Sequence, residues 1–227
     1  MARNGNGMLP QDYREFKDSR RGETAWVIAS GSSVDHINPA FFNDKLCVCV
    51  NFAGMKLGLT NFYSVTHYWL DAIVLSEHLP ELPIITPHND LGGCNLSAVT
   101  PTGANVYRVP TGPQRFSAFD VNTDWPHDPD AFVAGPTSLH MTMHFAAYLV
   151  GSGGSIVLVG ADCGTLDGAS NFAGYTSGDN PFAVWAHHLP IVADRLRSTG
   201  VAVHSLNPWV NPSLEGHVYR SPITGVN

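Results

Sequence analysis

Charge is scarce in this chain, and positive charge scarcest. Twelve Lys and Arg stand against 19 Asp and Glu, a formal net charge of -7, and charged residues make up only 14 % of the sequence. Apart from Arg20-Arg21 there is no basic cluster, so a polyphosphate backbone finds little to hold and nucleic acid is not an expected partner. No apolar run approaches the roughly 18 to 20 residues needed to cross a bilayer, which excludes a predicted membrane-spanning helix. The first twenty residues carry Arg3, Arg14, Lys17 and Arg20 without a continuous apolar segment. They do not read as a secretory signal, and a cytoplasmic location is the expectation. The four cysteines, Cys47, Cys49, Cys94 and Cys163, lack C-x-x-C spacing, so neither a disulfide framework nor a zinc cluster is expected. The glycines form no G-x-G-x-x-G, which disfavours a dinucleotide cofactor.

What is present is a regular alternation of short apolar runs and helical patterns. At 227 residues, 44 % of them hydrophobic, the chain suits one domain with an inserted lobe. Residues 1–21 read as a tail or docking arm and residues 22–227 as a single Rossmann-like domain. Apolar runs at Trp26-Val27-Ile28-Ala29, Leu46 to Val50, Phe62 to Val65, Pro83 to Thr86, Val106 to Val109, Ile156 to Val159 and Val201 to His204 predict strands. Between them, helices are predicted over 68–79, 139–150 and 188–198. Ser33 and Asn38 are predicted N-caps, and Pro39 suits a first helical position. Strands alternating with helices predict an α/β fold, a mostly parallel sheet flanked by helices. Residues 88–132, rich in Gly, Pro, Asn and Thr, read as an irregular insertion. The Gly/Ser/Asn-rich 163–181 reads as a lid-like loop.

In an open parallel sheet ligands bind outside the carboxyl ends of the strands. The turn Ser30-Gly31-Ser32-Ser33 follows the first strand, where Gly31 permits close approach and a helix start offers amides to an anion. Such a turn holds a phosphate, or is simply a capped turn. Thr137 and Ser138 open a later helix. Asn51, Gly160, Asp162 and Asn207 fall just after other strands. His140 and His144 are four apart, a spacing that can place two imidazoles on one metal. No H-E-x-x-H and no third ligand accompany them, so no metal is expected. His187 and His188, near the last helix, are candidate general bases or plain surface histidines. Asp71, Asp120, Asp124 and Asp167 are alternative carboxylates that the sequence does not separate.

With these residues the chain resembles the bacterial sialyltransferases of glycosyltransferase family 42 and a related Rossmann-like group that includes a pterin diphosphokinase. The matching stretches are Trp26 to Ile37, Cys49-Val50-Asn51, Pro136 to Leu139, Ile156 to Asp162 and Val203 to Pro208, in family order over roughly 180 residues. The resemblance implies that Ser30, Gly31 and Ser33 hold the cytidine monophosphate of a donor, with Ser32 in the same turn. Asn51, Thr137, Ser138, Gly160 and Asp162 would line the nucleotide site. It places the catalytic histidine just before the last helix, as His187 or His188, taking a proton from an acceptor hydroxyl. Ala29 and Ser32 replace the first Gly and the Pro of the family's turn, and Cys163-Gly164 stand where the sialyltransferases carry a tyrosine; Tyr175 of the lid is the substitute. The implied function is a metal-independent, nucleotide-sugar-dependent glycosyltransferase with no resident cofactor. Its partners would be a CMP-type nucleotide sugar and a glycan or small-molecule acceptor, and a homo-oligomer is compatible with the sequence. Two alternatives stand beside it: a pyrophosphoryl transferase using ATP and Mg²⁺ through carboxylates such as Asp162, and a non-catalytic nucleotide-binding scaffold.

Overall fold

The computed structural model describes residues 9–89, 100–112, 128–133, 135, 137–164, 169–176 and 182–206. Asn207, Asp120, Asp124, Asp167, Cys94 and Pro136 lie outside them, as do most of the 88–132 insertion and both flanks of the lid. The elements are β1 (Thr24–Ile28), β2 (Leu46–Val50), α1 (Ala53–Lys56), β3 (Tyr63–Val65), α2 (Trp69–His78), β4 (Ile84–Pro87), β5 (Val106–Val109), α3 (Ser138–Val150), β6 (Ser155–Val159), α4 (Phe182–Ser198) and β7 (Ala202–Ser205).

All seven strands pair in parallel in the order β5-β4-β3-β2-β1-β6-β7. This is a Rossmann-like α/β arrangement, with the predicted strand runs in place to within about two residues at either end. The chain steps outward from β1 to β5 and is carried back by α3, so that β6 pairs on the other side of β1. The order therefore reverses between β1 and β6, the switch point at which such sheets open a crevice at their carboxyl edge.

Alternation along the strands divides the core. Ala25, Val27, Val48, Val50 and Val65 pack on the side of α3, while Trp26, Ile28, Cys47, Cys49, Val157 and Val159 pack on the other. Cys47 and Cys49 are free and buried, and burial pushes the Cys47 thiol up to about 12. Helix α3 is apolar on every side and buried except at His144, because it lies beneath four strands. No helix among the described residues is long and apolar enough to cross a membrane.

Residues 9–22 are built into this core. Asp12 and Glu15 form a capping box around a 3₁₀ turn, Tyr13–Phe16. That turn sets Phe16 edge-on against Tyr63, Tyr107 and Phe145. The next residues donate three amides, of Asp18, Arg20 and Gly22, to the last carbonyls of α3, those of Tyr148, Leu149 and Val150 (2.8–2.9 Å). They satisfy acceptors that a helix end leaves open.

Two local expectations change. The β1–β2 connection is two 3₁₀ turns, Ser32–His36 and Pro39–Phe42, and only Asn38 caps, its Oδ1 accepting the Ala40 amide at 3.0 Å. Ser33 is not a cap because it lies inside the first of these turns, whose N-cap position is Gly31, and its amide and hydroxyl donate to Asp162 instead. Helix α4 begins at Phe182 and runs through Pro190, six residues ahead of the predicted start. Proline's helix-breaking cost is offset there by the packing of α4 on α3 and β7.

Candidate functional site

At the switch point the first turn is closed by the protein itself. The Gly31 amide donates to the Gly160 carbonyl (2.9 Å) and the Val34 amide to the Gly31 carbonyl (3.1 Å). The Ser33 amide donates to Asp162 Oδ2 at 2.9 Å and its hydroxyl to Oδ1 at 2.5 Å. A carboxylate thus occupies the place where the turn would present donors to a phosphate. Asp162 is 1 % exposed, and these charge-assisted bonds compensate its burial. Gly31 has an ordinary extended φ of -63, so its conformation does not demand glycine. The space does: a Cβ would meet the Gly160 carbonyl oxygen and Asp162 Oδ2. The close approach for which Gly31 is needed is therefore that of the β6 terminus.

The described part of the lid is stitched over the same turn. The Phe172 amide donates to the Ser30 carbonyl (3.0 Å), the Ser32 hydroxyl to the Ala169 carbonyl (2.9 Å), and the Ala173 amide to both oxygens of Asp35. This fixes Tyr175, packed at 5.2 Å on the buried Phe172. Burial pushes the Tyr175 phenol up and the nearby Asp71 carboxylate adds to that, while the Asn51 side chain and Phe52 backbone pull it down. Tyr175 therefore faces Asn51. Asn51 ends β2 in the left-handed region, φ 48, which asparagine tolerates better than most residues, and its buried Oδ1 has no hydrogen-bond partner.

On the α3 side of the same edge, three separate segments converge. Thr137 caps α3 by accepting the Leu139 amide at 3.3 Å, and the Ser138 hydroxyl accepts the amide of His67, just past β3, at 3.2 Å. His140, in the first turn of α3, has its ring centroid 6.1 Å from that of His188 on α4, and His187 lies 5.4 Å from His188. His188 is buried; His187 is exposed. Both lie within the second turn of α4 rather than before it. His140 is fully buried and approaches the Trp185 backbone, yet neither ring nitrogen makes a hydrogen bond of good geometry. Burial, then the neighbouring His188 and His67, pushes its pKa down to about 3, so it is a neutral imidazole at pH 7.

His140 and His144 stand in different surroundings. His144 Nδ1 accepts the Val133 amide at 2.9 Å and its ring packs on Phe132. Among the described residues no group of three His, Cys, Asp or Glu side chains is arranged to hold a metal ion.

Ser138, His140 and His188 thus lie on one side of the sheet edge, Asn51 and Tyr175 on the other, and Gly31, Ser33, Gly160 and Asp162 form the closed seam between β1 and β6. His67 was missed from the sequence, although it follows β3 as Asn51 follows β2, and the same edge rule would have found it. The chain matches no protein-family model, and no curated protein matches it significantly.

Proposed function

We propose that the chain is a nucleotide-dependent glycosyltransferase whose donor nucleotide lies over the carboxyl edge of β2 and β3, with His188 as general base. The observation that carries this reading is the convergence of His67, Ser138, His140 and His188 from β3, α3 and α4 beside the switch point. Asn51 and Tyr175 would hold the nucleotide from the lid side, the unpartnered Asn51 Oδ1 accepting from a ribose or base donor. Ser138 accepts from His67, which leaves its own proton for the donor phosphate. The His188 imidazole takes the acceptor hydroxyl proton as that oxygen bonds the anomeric carbon. The bond from that carbon to the phosphate oxygen breaks, and its electron pair leaves with the nucleotide. His188 is preferred to His187 because it joins the cluster, while His187 faces solvent. The Ser30–Ser33 turn would support the edge rather than cradle the phosphate, since its Ser33 donors are spent on Asp162. The same engagement counts against the pyrophosphoryl-transfer reading, which needs that carboxylate on a magnesium ion.

Calorimetric titration with CMP, CDP, UDP and GDP tests the reading, with CMP expected to bind most tightly. His188→Asn should lower turnover by about 10²-fold or more with nucleotide affinity kept within a few-fold. Failure of all four nucleotides to bind would overturn it.

A further inference from the structure

Beyond the histidine cluster, at the same carboxyl edge on the two strands past β3, two buried polar atoms have no hydrogen-bond partner among the described residues. Thr86 is fully buried on β4, and its Oγ1 has no hydrogen-bond partner. Arg108 on β5 is its register partner, and Arg108 Nε is likewise buried and unpartnered. Side chains alternate along a strand, so Thr86 lies on the face of Ile84, which packs on Ala72 and Leu75 of α2, and Arg108 lies on the face of Val106, packed in the same cluster.

The guanidinium is held in place. Its centre sits 5.3 Å from the Trp69 ring centroid, its Nη2 donates to the His88 carbonyl at 3.0 Å, and the Trp69 indole itself donates to the Pro87 carbonyl at 3.0 Å. No described carboxylate pairs with Arg108, in a chain of net charge -7. A fixed cation with a spare N–H beside a spare hydroxyl presents donors and positive charge together, a combination that selects an oxyanion.

We propose that Thr86 and Arg108 form an oxyanion subsite that takes a phosphate or carboxylate group. Nε–H and Oγ–H donate to its oxygens, and the Trp69 ring backs the guanidinium. Thr86 is level with Thr66, whose amide donates to the Ile85 carbonyl, and His67 follows directly. The subsite therefore lies one strand spacing, about 5 Å, from the strand that carries His67. Its side chains lie on the α2 face, opposite the α3 face on which Ser138 meets His67, so the subsite is separate from the histidine cluster. The subsite does not depend on the ligand proposed for that cluster.

Thermal unfolding of the full chain in sodium phosphate, sodium acetate and sodium chloride at matched ionic strength tests this, with Thr86→Val and Arg108→Gln alongside wild type. Phosphate or acetate should raise the wild-type Tm in a saturable way over chloride, and whichever acts names the group. Arg108→Gln should abolish the effect, and Thr86→Val should weaken the apparent affinity at least fivefold. Valine should also raise the Tm of the anion-free protein, because it replaces an unsatisfied buried hydroxyl of similar shape. Equal stabilisation of all three proteins, as general exclusion of phosphate from protein surfaces would give, overturns the proposal. So does the absence of any anion effect on wild type, or a Thr86→Val protein that is less stable without anion.

Discussion

A methyl group at position 31 has nowhere to go. The Gly160 carbonyl and the Asp162 carboxylate already fill the space, and relieving the contact means parting β1 from β6 or breaking the two bonds between Ser33 and Asp162. Gly31→Ala should therefore cost about 2–3 kcal/mol, at the upper end of ordinary overpacking. Urea denaturation would measure it, and a loss below about 0.5 kcal/mol would mean the seam is looser than described. The residue type at position 31 was legible from the sequence; its partner was not. Gly31 suggests a phosphate because a short Gly/Ser turn after a strand usually faces solvent or a ligand. The group that fills it lies 129 residues beyond Ser33, and only the pairing of β1 with β6 brings it there. Ser33 illustrates the same limit, since a serine near a helix start suggests a cap, whereas here its amide and hydroxyl donate to a buried carboxylate.

Among the elements, strands were the easiest to read. β1, β2, β3 and β6 are short apolar runs followed within two residues by Ser, Asn, Thr or Gly, and burial on both faces leaves little ambiguity of type, while the edge strands β5 and β7 are fully buried on one face only. Helix α4 was read short at its start, and Pro190, a residue suited to a helix's first turn, instead stands in its third. The segment around Phe16 gave only a weak helical pattern, being a single 3₁₀ turn whose purpose lies in what it touches. Phe16 is 1 % exposed among three aromatic rings, and the amides that follow it close the carboxyl end of α3. Phe16→Ala should cost about 3–5 kcal/mol, the range for a buried aromatic, and should loosen the end of α3 as well. Hydrogen exchange at Gly151, whose amide closes the last turn of α3 on the Ala147 carbonyl, would report the second effect. Unchanged stability would show that the arm only rests on the surface.

For the whole molecule, acid is the revealing perturbation. His140 and His144 have pKa values near 3 and 4, against an ordinary value of 6.5, chiefly because burial disfavours the imidazolium. Below pH 6.5 the unfolded chain takes up protons at these sites and the folded chain does not, so stability falls as pH falls until the folded values are reached. Each site contributes about 1.4 kcal/mol per pH unit inside that window. The paired carboxylates of Asp12, Glu23 and Asp130, whose pKa values are lowered, lose their contribution only at lower pH. Stability should therefore drop by roughly 3 kcal/mol between pH 6.5 and 5. A flat profile over that interval would mean that water reaches both rings. The edge rule for parallel sheets singled out Asn51 and Ser138 as candidates, and His188 came from its place near the last helix, but neither argument ranked them. Burial and missing partners do, and they direct attention to His140 and Asn51.

Histidine-selective NMR of the full chain during CMP titration observes directly whether a nucleotide meets the histidine cluster at the carboxyl edge. The His188 and His140 imidazole resonances should shift saturably with CMP, while that of His144, held by the Val133 amide in the core, stays in place. If CMP, CDP, UDP and GDP all leave the His188 and His140 resonances unmoved, the proposed site is not a nucleotide site.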